Sequence, residues 1–365
     1  MKEKIGKSKK VAVALSGGVD SAVSAALLKD QGFEVVCVHM VCWEEAGSGC
    51  ASNESRVDAA KVAGHLGLPI LAWDFTKEYK ERVINYFYSE YELGRTPNPD
   101  VMCNKEIKFG LFFEKAFKEL NVDFIATGHY ARISPPCKNG KYALLKGVDL
   151  SKDQSYFLYL LTQRHLSRTL FPVGGLKKTQ VRELAKKYKL PVWDKPDSQG
   201  ICFVGEINIR KFLEERIKPE KGKILDVSGK VMGEHDGVWF YTIGQRHGFT
   251  IGAGRLEEGE KDKNPKPRYV LSKDIAKNTI TVGSREYAMS NKFEISDLHW
   301  ISQTGVKPGL EARLRHLGEL YPVEEVIPFG ENLRVELSKK AFGIAPGQSA
   351  VFYCKEEVLG GGVIV

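Results

Sequence analysis

Paired cysteines, membrane-length apolar runs and internal repeats are all missing from this sequence, and each absence closes off a class of protein. The seven cysteines, Cys37, Cys42, Cys50, Cys103, Cys137, Cys202 and Cys354, are odd in number and contain no C-x-x-C pair. Neither a disulfide framework nor a zinc knuckle is therefore expected. No apolar run approaches the roughly 20 residues that a transmembrane helix needs. The basic stretch 1–10 leads into only five apolar residues, too short for a signal-peptide core. The expectation is a cytoplasmic protein with reduced thiols and no membrane partner. The net charge of +8 allows a polyanionic partner such as nucleic acid without requiring one. At 365 residues the chain exceeds what one core usually organises, so two or three domains are expected.

The chain is organised around residues 11–21, V-A-V-A-L-S-G-G-V-D-S. A run of small and β-branched apolar residues meets Ser16-Gly17-Gly18-Val19-Asp20-Ser21 and then a helical stretch, 22–28. Two adjacent glycines let the backbone turn and approach a ligand closely, while the first amides of the helix point into the loop with their donors free. Such a place binds phosphate. The loop has no Walker A lysine, and Gly6-Lys7-Ser8 just upstream lacks both the preceding strand and the first glycine of that motif. The S-G-G-V-D-S string resembles the PP-loop of ATP pyrophosphatases, which split ATP between its α and β phosphates. Without that resemblance it reads as a Gly-rich strand-to-helix turn.

Residues 33–40 read as a second buried strand whose continuous apolar character suits a parallel sheet covered on both faces. A helix capped by Ser52 or Asn53 runs to about residue 66. A third strand follows at 70–73, a long helix at 77–92, and a further strand at 123–127 that ends in Gly128-His129. This alternation predicts an α/β doubly wound parallel sheet, with ligands at the carboxyl ends of the strands. The loop, Met40, Gly128 and His129 are thereby expected around one crevice. A last helix is expected at 177–188. Beyond about residue 205, short strands at 222–227, 238–243, 268–272, 279–282, 310–317, 323–327, 333–337 and 350–354, without helices, predict a small β domain and then a C-terminal β-barrel. Residues 257–267 read as an exposed polar loop. The expected division is 1–205, 206–282 and 283–365.

Two further stretches carry chemistry. In Thr96-Pro97-Asn98-Pro99-Asp100-Val101-Met102-Cys103-Asn104-Lys105, the prolines and Asn/Asp residues predict an ordered loop, with a carboxylate three residues ahead of a thiol. Pro196-Asp197-Ser198-Gln199-Gly200-Ile201-Cys202-Phe203 is another loop ending in a thiol. Each cysteine taken alone fits plain burial equally well.

Together with the PP-loop, these stretches resemble the tRNA-specific 2-thiouridylases. The matching strings, in order along essentially the whole chain, are S-G-G-V-D-S, N-P-D-V-M-C-N-K-E-I-K-F, A-T-G-H-Y-A-R, S-K-D-Q-S-Y-F-L, S-Q-G-I-C-F-V and Y-T-I-G-Q-R-H-G. The resemblance implies ATP-dependent replacement of the 2-oxygen of the wobble uridine by sulfur. A urea-like oxygen leaves poorly, so ATP converts it to an adenylate; a persulfide then supplies sulfur, and a second thiol releases it by exchange. It further implies that Cys202 carries the persulfide and Cys103 is the partner nucleophile, with a transient Cys103–Cys202 disulfide. Asp100 is the implied general acid/base, an Asx-turn cap being the other reading of that residue.

For binding, the resemblance assigns Ala14, Leu15, Ser16, Gly17, Gly18, Val19, Asp20, Ser21, Met40 and Gly128 to ATP. Asn98, Pro99 and Asp100 are assigned to a flipped-out base. His129, Lys152, Asp153, Gln154, Arg315, His316 and Gln348 are assigned to tRNA, His316 departing from the family's Arg-Tyr. Mg²⁺ is expected to accompany ATP, and a cysteine desulfurase or sulfur-relay protein to supply the persulfide. Three rival readings stand beside it: an iron-sulfur cluster on Asp100, Cys103 and Cys202, a PP-loop amidating synthetase, and a non-catalytic ATP-bound RNA-binding protein.

Overall fold

The computed structural model describes residues 8–43, 51–197, 200, 202, 204, 208–251, 267–302 and 307–365. Cys50, residues 257–266 of the expected polar loop, and residues 198, 199, 201 and 203 of the second thiol loop lie outside them.

Strand β1 (Lys10–Ala14) sits at the centre of a parallel sheet. It pairs on one side with β2 (Glu34–Val41), which pairs with β3 (Ile70–Asp74), and on the other with β4 (Phe124–Ala126), which pairs with Thr169–Leu170. Alternate residues of β1 enter different cores. Ala12 and Ala14 pack with Val38, Met40 and the aromatic cluster around Tyr79, Phe109 and Phe112, while Val11 and Val13 pack with Val19, Val23 and Val62 of helices α1 (Val19–Asp30) and α2 (Ala51–Leu66). A strand covered on both faces has no polar side to show, which is why its sequence is unbroken apolar. The doubly wound α/β reading holds.

Two antiparallel-dominated sheets follow. Gly222–Leu225, Val231–His235, Thr250–Ile251, Tyr269–Asp274 and Thr279–Gly283 form the smaller one. The larger closes on itself, because Met289–Trp300 pairs both with Asn332–Phe342 and with Glu357–Ile364, giving the expected barrel. A hairpin from the first part of the chain, Ala131–Ile133 and Leu144–Lys146, continues the barrel sheet by pairing Leu145 with Glu357. The first part of the chain and the barrel are thus joined by backbone hydrogen bonds.

Several local expectations are corrected. The stretch after Pro97 is not a loop: Asn98 caps a helix, Pro99–Cys103, that continues as a π-helix over Asn104–Phe112 and an α-helix over Phe113–Leu120. Proline is tolerated at the first helical position because its missing N–H has no partner there anyway, so Asn-Pro reads as a start signal. The expected strand 238–243 is a 3₁₀ turn, Val238–Phe240; the Val238 amide donates to Asn278 Oδ1 (3.0 Å) and not to a ladder. A short helix, Ile209–Glu214, occupies ground expected to be free of helices. The strand expected at 310–317 stops at Arg313, before the positive φ of Leu317 (54°). The strands 289–300 and 357–364 give no clear signal in the sequence because glycine and charged residues interrupt their alternation.

Candidate active site

The first half of the site is local. Leu15 ends β1 with its amide on the Val38 carbonyl (2.8 Å). The loop then folds on its own hydroxyls: the Ser16 amide donates to Ser21 Oγ (3.1 Å), the two hydroxyls lie 3.0 Å apart, and Ser21 Oγ donates to the Gly18 carbonyl (3.1 Å). Gly17 has φ +80°, and a Cβ there would lie 2.3 Å from the Ser55 carbonyl oxygen; a Cβ on Gly128 would lie 2.8 Å from the Ser21 amide nitrogen. No side chain caps the first turn of α1 at Gly18. Its amides remain available to an anion, aided by the helix dipole. Ala14, Leu15, Val19 and Met40 are buried, so they meet a ligand through main chain or through edges only.

The second half is assembled from distant segments. Gln348 Nε2 of the barrel donates to the carbonyls of Thr96 (2.8 Å) and Pro97 (3.2 Å), and Thr96 Oγ1 meets Thr242 Oγ1 of the middle sheet region at 3.0 Å. The chain so pinned enters its helix through the Asn98 cap, whose Oδ1 accepts from the Val101 amide (3.3 Å). Asp100 Oδ1 accepts the Cys202 amide at 3.0 Å, and the Tyr79 hydroxyl donates to the Cys202 carbonyl at 2.6 Å. These two bonds clamp the backbone of Cys202 against the helix that carries Cys103.

The two thiols, 99 residues apart in sequence, hydrogen-bond to each other, and Lys108 hydrogen-bonds to Cys202. Both are free thiols. Their characters differ. Cys103 is fully buried, and burial followed by its bond to Cys202 pushes it well above the ordinary thiol range. Cys202 is held below that range because the Cys103 S–H donates to it and the Lys108 ammonium faces it, outweighing burial. Burial works against the Lys108 charge, yet Cys202 and Cys103 keep it protonated, above the usual lysine value. Burial raises Asp100, against the Cys202 amide and Lys108. The site therefore sets a thiol that gives up its proton readily beside one that keeps it, with an ammonium facing both.

A carboxylate joins the halves. Asp197, five residues before Cys202, binds Lys152 (2.7 Å), Lys178 (2.8 Å) and Arg182 (2.6 Å), and Lys178 also grips Asp20 of the PP-loop at 2.7 and 2.8 Å. Burial would raise Asp197, but these cations hold it far below the usual carboxylate range. The Tyr130 hydroxyl donates to the same Asp20 (2.8 Å). Sequence reasoning missed Lys108, Lys178, Asp197, Tyr79 and Tyr130; Lys108 stands inside N-K-E-I-K-F but has no spacing signal in an ordinary helix.

The expected tRNA residues scatter. Asp153 is a correction: its carboxylate has no exposed surface, accepting from Arg313 (2.8 Å) and from the amides of Gly147 and Ser155, so it cannot meet RNA as it stands. His129 is likewise buried, on Thr127 Oγ1 (2.7 Å), with burial holding its ring neutral. Gln154 Oε1 accepts from the Tyr130 amide (3.0 Å), and Lys152 is half-exposed while paired to Asp197. Arg315 is exposed beside the Gly343 carbonyl, which it also binds. The His316 ring centroid lies 4.3 Å from that of Phe157, and burial brings the pKa of the imidazole down to about 4. Among the described residues, no group of three or more His, Cys, Asp or Glu is arranged to hold a metal ion.

Comparison with known proteins bears on the whole chain. Family models described as tRNA methyl transferase HUP domain, tRNA methyl transferase PRC-barrel domain and aminomethyltransferase beta-barrel domain match residues 9–206, 210–284 and 290–364. A protein of Pediococcus pentosaceus named tRNA-specific 2-thiouridylase MnmA is 43% identical over 369 residues, covering 97% of this chain and 94% of its own. The chain belongs to the tRNA-specific 2-thiouridylase family. Relatives of the same name from Enterococcus faecalis (41% identical, 97% and 95% covered) and Idiomarina loihiensis (42%, 98% and 96%) agree. Among solved structures, the U34-tRNA thiolase NcsA of Methanococcus maripaludis with its [4Fe-4S] cluster is 18% identical over 59% of this chain and 67% of its own, with a TM-score of 0.36. A 4-thiouridine synthetase–RNA complex with bound ATP is 20% identical over 57% and 50%, with a TM-score of 0.35. In this thiouridylase-family chain, the PP-loop and the Cys103–Cys202 pair fall within the first matched segment, and Gln348 of the third bonds the Thr96 and Pro97 carbonyls that lead into the Cys103 helix.

Proposed function

We propose that this protein is an ATP-dependent tRNA 2-thiouridylase acting on the wobble uridine. The observation that carries the reading is the unequal thiol pair held beside Lys108, with Cys103 on the helix after Asn98 and Cys202 five residues past Asp197, which Lys178 links to Asp20 of the PP-loop. Thiolation needs a thiolate to accept sulfur and a second thiol that stays protonated until it is wanted. Cys202 and Cys103 fit those parts in that order.

ATP is a substrate here: adenylation turns the uracil 2-oxygen into a leaving group that departs with AMP. The uncapped first turn of α1, the Gly17 turn and the space left by Gly128 fit its phosphates. No carboxylate of the loop is left over for a metal, since Asp20 is closed by Lys178 and Tyr130. Mg²⁺ is accordingly assigned to the nucleotide's own phosphates, where it neutralises the departing pyrophosphate. On the sulfur side, Cys103 loses its proton and attacks Cys202 Sγ of the persulfide. The Cys103–Cys202 disulfide forms, and the terminal sulfur leaves with its electron pair as hydrosulfide to displace AMP at carbon 2. Asp100, whose raised affinity for a proton comes from burial, is the acid/base beside the base pocket of Asn98 and Pro99.

Lys152, Gln154, Arg315, His316 and Gln348 make up the proposed tRNA side, with residues 1–205 as catalytic domain, 206–282 as central β domain and 283–365 as RNA-contacting barrel. A cysteine desulfurase or sulfur-relay protein supplies the persulfide, in the cytoplasm, where thiols stay reduced.

The test is nucleoside mass spectrometry of unmodified tRNA after incubation with protein, Mg-ATP and a persulfide-generating desulfurase. The expected result is an oxygen-to-sulfur mass gain at one uridine, only with ATP. AMP formation without any sulfur gain would turn the reading to an amidating synthetase.

A further inference from the structure

The helical run that carries Cys103 is not regular. Immediately after Cys103 it becomes a π-helix, Asn104–Phe112, and Lys108 lies five residues on from Cys103. In an α-helix, residues five apart point about 140° away from each other. A π-turn, bonded from i to i+5, returns the fifth residue to the same side. Gly110 marks how tightly this turn is wound: a Cβ there would lie 2.8 Å from the carbonyl oxygen of Lys105, five residues back. π-Turns cost hydrogen-bond quality and concentrate at functional sites. Here the turn lets one helix present a thiol and an ammonium to the same incoming group, Cys202, whose backbone is fixed by Asp100 (3.0 Å) and Tyr79 (2.6 Å).

We propose that Lys108 is the anion-binding residue of the sulfur-transfer step: its ammonium, brought round by the π-turn, receives the negative charge on Cys202 Sγ and then on the terminal persulfide sulfur. In loading, the Cys202 thiolate attacks the outer sulfur of a donor persulfide. A Cys202 Sγ–S bond forms, the donor's S–S bond breaks, and the electron pair leaves with the donor thiolate, so no net oxidation occurs. The charge moves one S–S bond, about 2 Å, and stays in front of the same ammonium. The inference rests on Cys202 as the persulfide carrier, but its test does not need sulfur transfer to succeed.

Four other titratable groups face Lys108 and the thiol pair: Asp100 from the first turn of the same helix, Tyr79 from the neighbouring helix, Cys42 from the end of β2 and His129 from beyond β4. Cys103 is the strongest competitor for the role, because its S–H also donates to Cys202. The experiment separates the two. Iodoacetamide alkylation of Cys202, followed by peptide mass spectrometry against pH, is compared in wild type, Lys108→Met, Lys108→Arg and Cys103→Ala, with ATP binding as the check on folding. The expected result is a wild-type midpoint below the free-thiol value of about 8.5. At pH 7, Lys108→Met should react about fivefold more slowly, because a midpoint higher by about one pH unit takes the thiolate fraction from about one half to about one tenth. Lys108→Arg is expected to keep the low midpoint, and Cys103→Ala, which deletes the S–H donor, to raise it while leaving it below the free-thiol value. A wild-type rate and profile in folded Lys108→Met overturns the proposal. Should that variant fail to fold, Cys103→Ala decides: a midpoint risen to the free-thiol value assigns the anion to Cys103 and overturns the role of Lys108. Absence of a Cys202 persulfide in loaded wild-type protein, with these profiles intact, would unseat the proposed function and leave the anion site standing.

Discussion

The PP-loop and the thiol site sit at the same end of one sheet yet are built in opposite ways. The loop is made of six consecutive residues whose hydroxyls bond to each other, with two glycines and a helix start supplied by the same string. The thiol site needs Tyr79, the helical run that carries Asp100, Cys103 and Lys108, and Cys202 about 100 residues further on, with Gln348 from the barrel to brace the approach. A local site costs little chain entropy to form and is written in one motif. A site closed over long loops forms only when the fold is complete.

The sharpest way to break this comparison is to remove either thiol. Cys202→Ala and Cys103→Ala are each expected to bring thiolation to background while nucleotide binding stays at its wild-type level, measured by nucleoside mass spectrometry beside equilibrium ATP binding. Loss of ATP binding in either variant would mean that the two halves are not separable.

The mirror experiment is Gly17→Ala. Its positive φ and the 2.3 Å approach to the Ser55 carbonyl oppose any side chain, so a stability loss of about 2 kcal/mol or more is expected in denaturant unfolding. ATP affinity should fall with it, while alkylation of Cys202 in the folded fraction keeps its pH profile.

Asp197→Asn tests the bridge between the halves. It removes the charge shared by Lys152, Lys178 and Arg182, and the expected loss at neutral pH is about 1–2 kcal/mol, together with slower thiolation. The sign of the pH effect follows from the direction in which the carboxyl is moved. Asp197 is depressed in the folded state, so its contribution is complete above the unfolded carboxylate value of about 3.9 and fades as pH falls from there toward the folded value. Wild type and variant should therefore converge in stability as the solution is acidified below about pH 4, which urea unfolding across that range would check.

Gln348→Ala should have the smallest effect. It deletes two part-buried hydrogen bonds to the carbonyls of Thr96 and Pro97, worth about 1 kcal/mol together, and a few-fold drop in thiolation is expected. An unchanged rate would mean that the barrel does not steer the base pocket.

Legibility in the sequence followed the same division. The βαβα order, the PP-loop and the change to short strands beyond residue 205 could be read because period, glycine placement and strand chemistry are local properties. Asn98-Pro99 reads as a loop although it is a helix start, since the same residues serve turns and caps. Asp153 and His129 match motif positions, yet both side chains face inward; a motif records residue type and order, not the direction in which the backbone turns it. Lys108 has no signal at all, because five-residue spacing means opposite faces in the ordinary α-helix that such a stretch suggests.

By itself, then, the sequence determined a parallel sheet with an anion-binding loop at its centre strand, for which unbroken apolar strands and two adjacent glycines suffice. It also carried two cysteines in turn-rich segments, without saying that they meet. Tertiary structure alone decided that Cys202 is clamped beside Cys103, that a π-turn brings Lys108 to both, and that Asp197 ties their loop to Asp20. Burial and charge act through space between residues about 100 positions apart, and only the folded chain sets those distances.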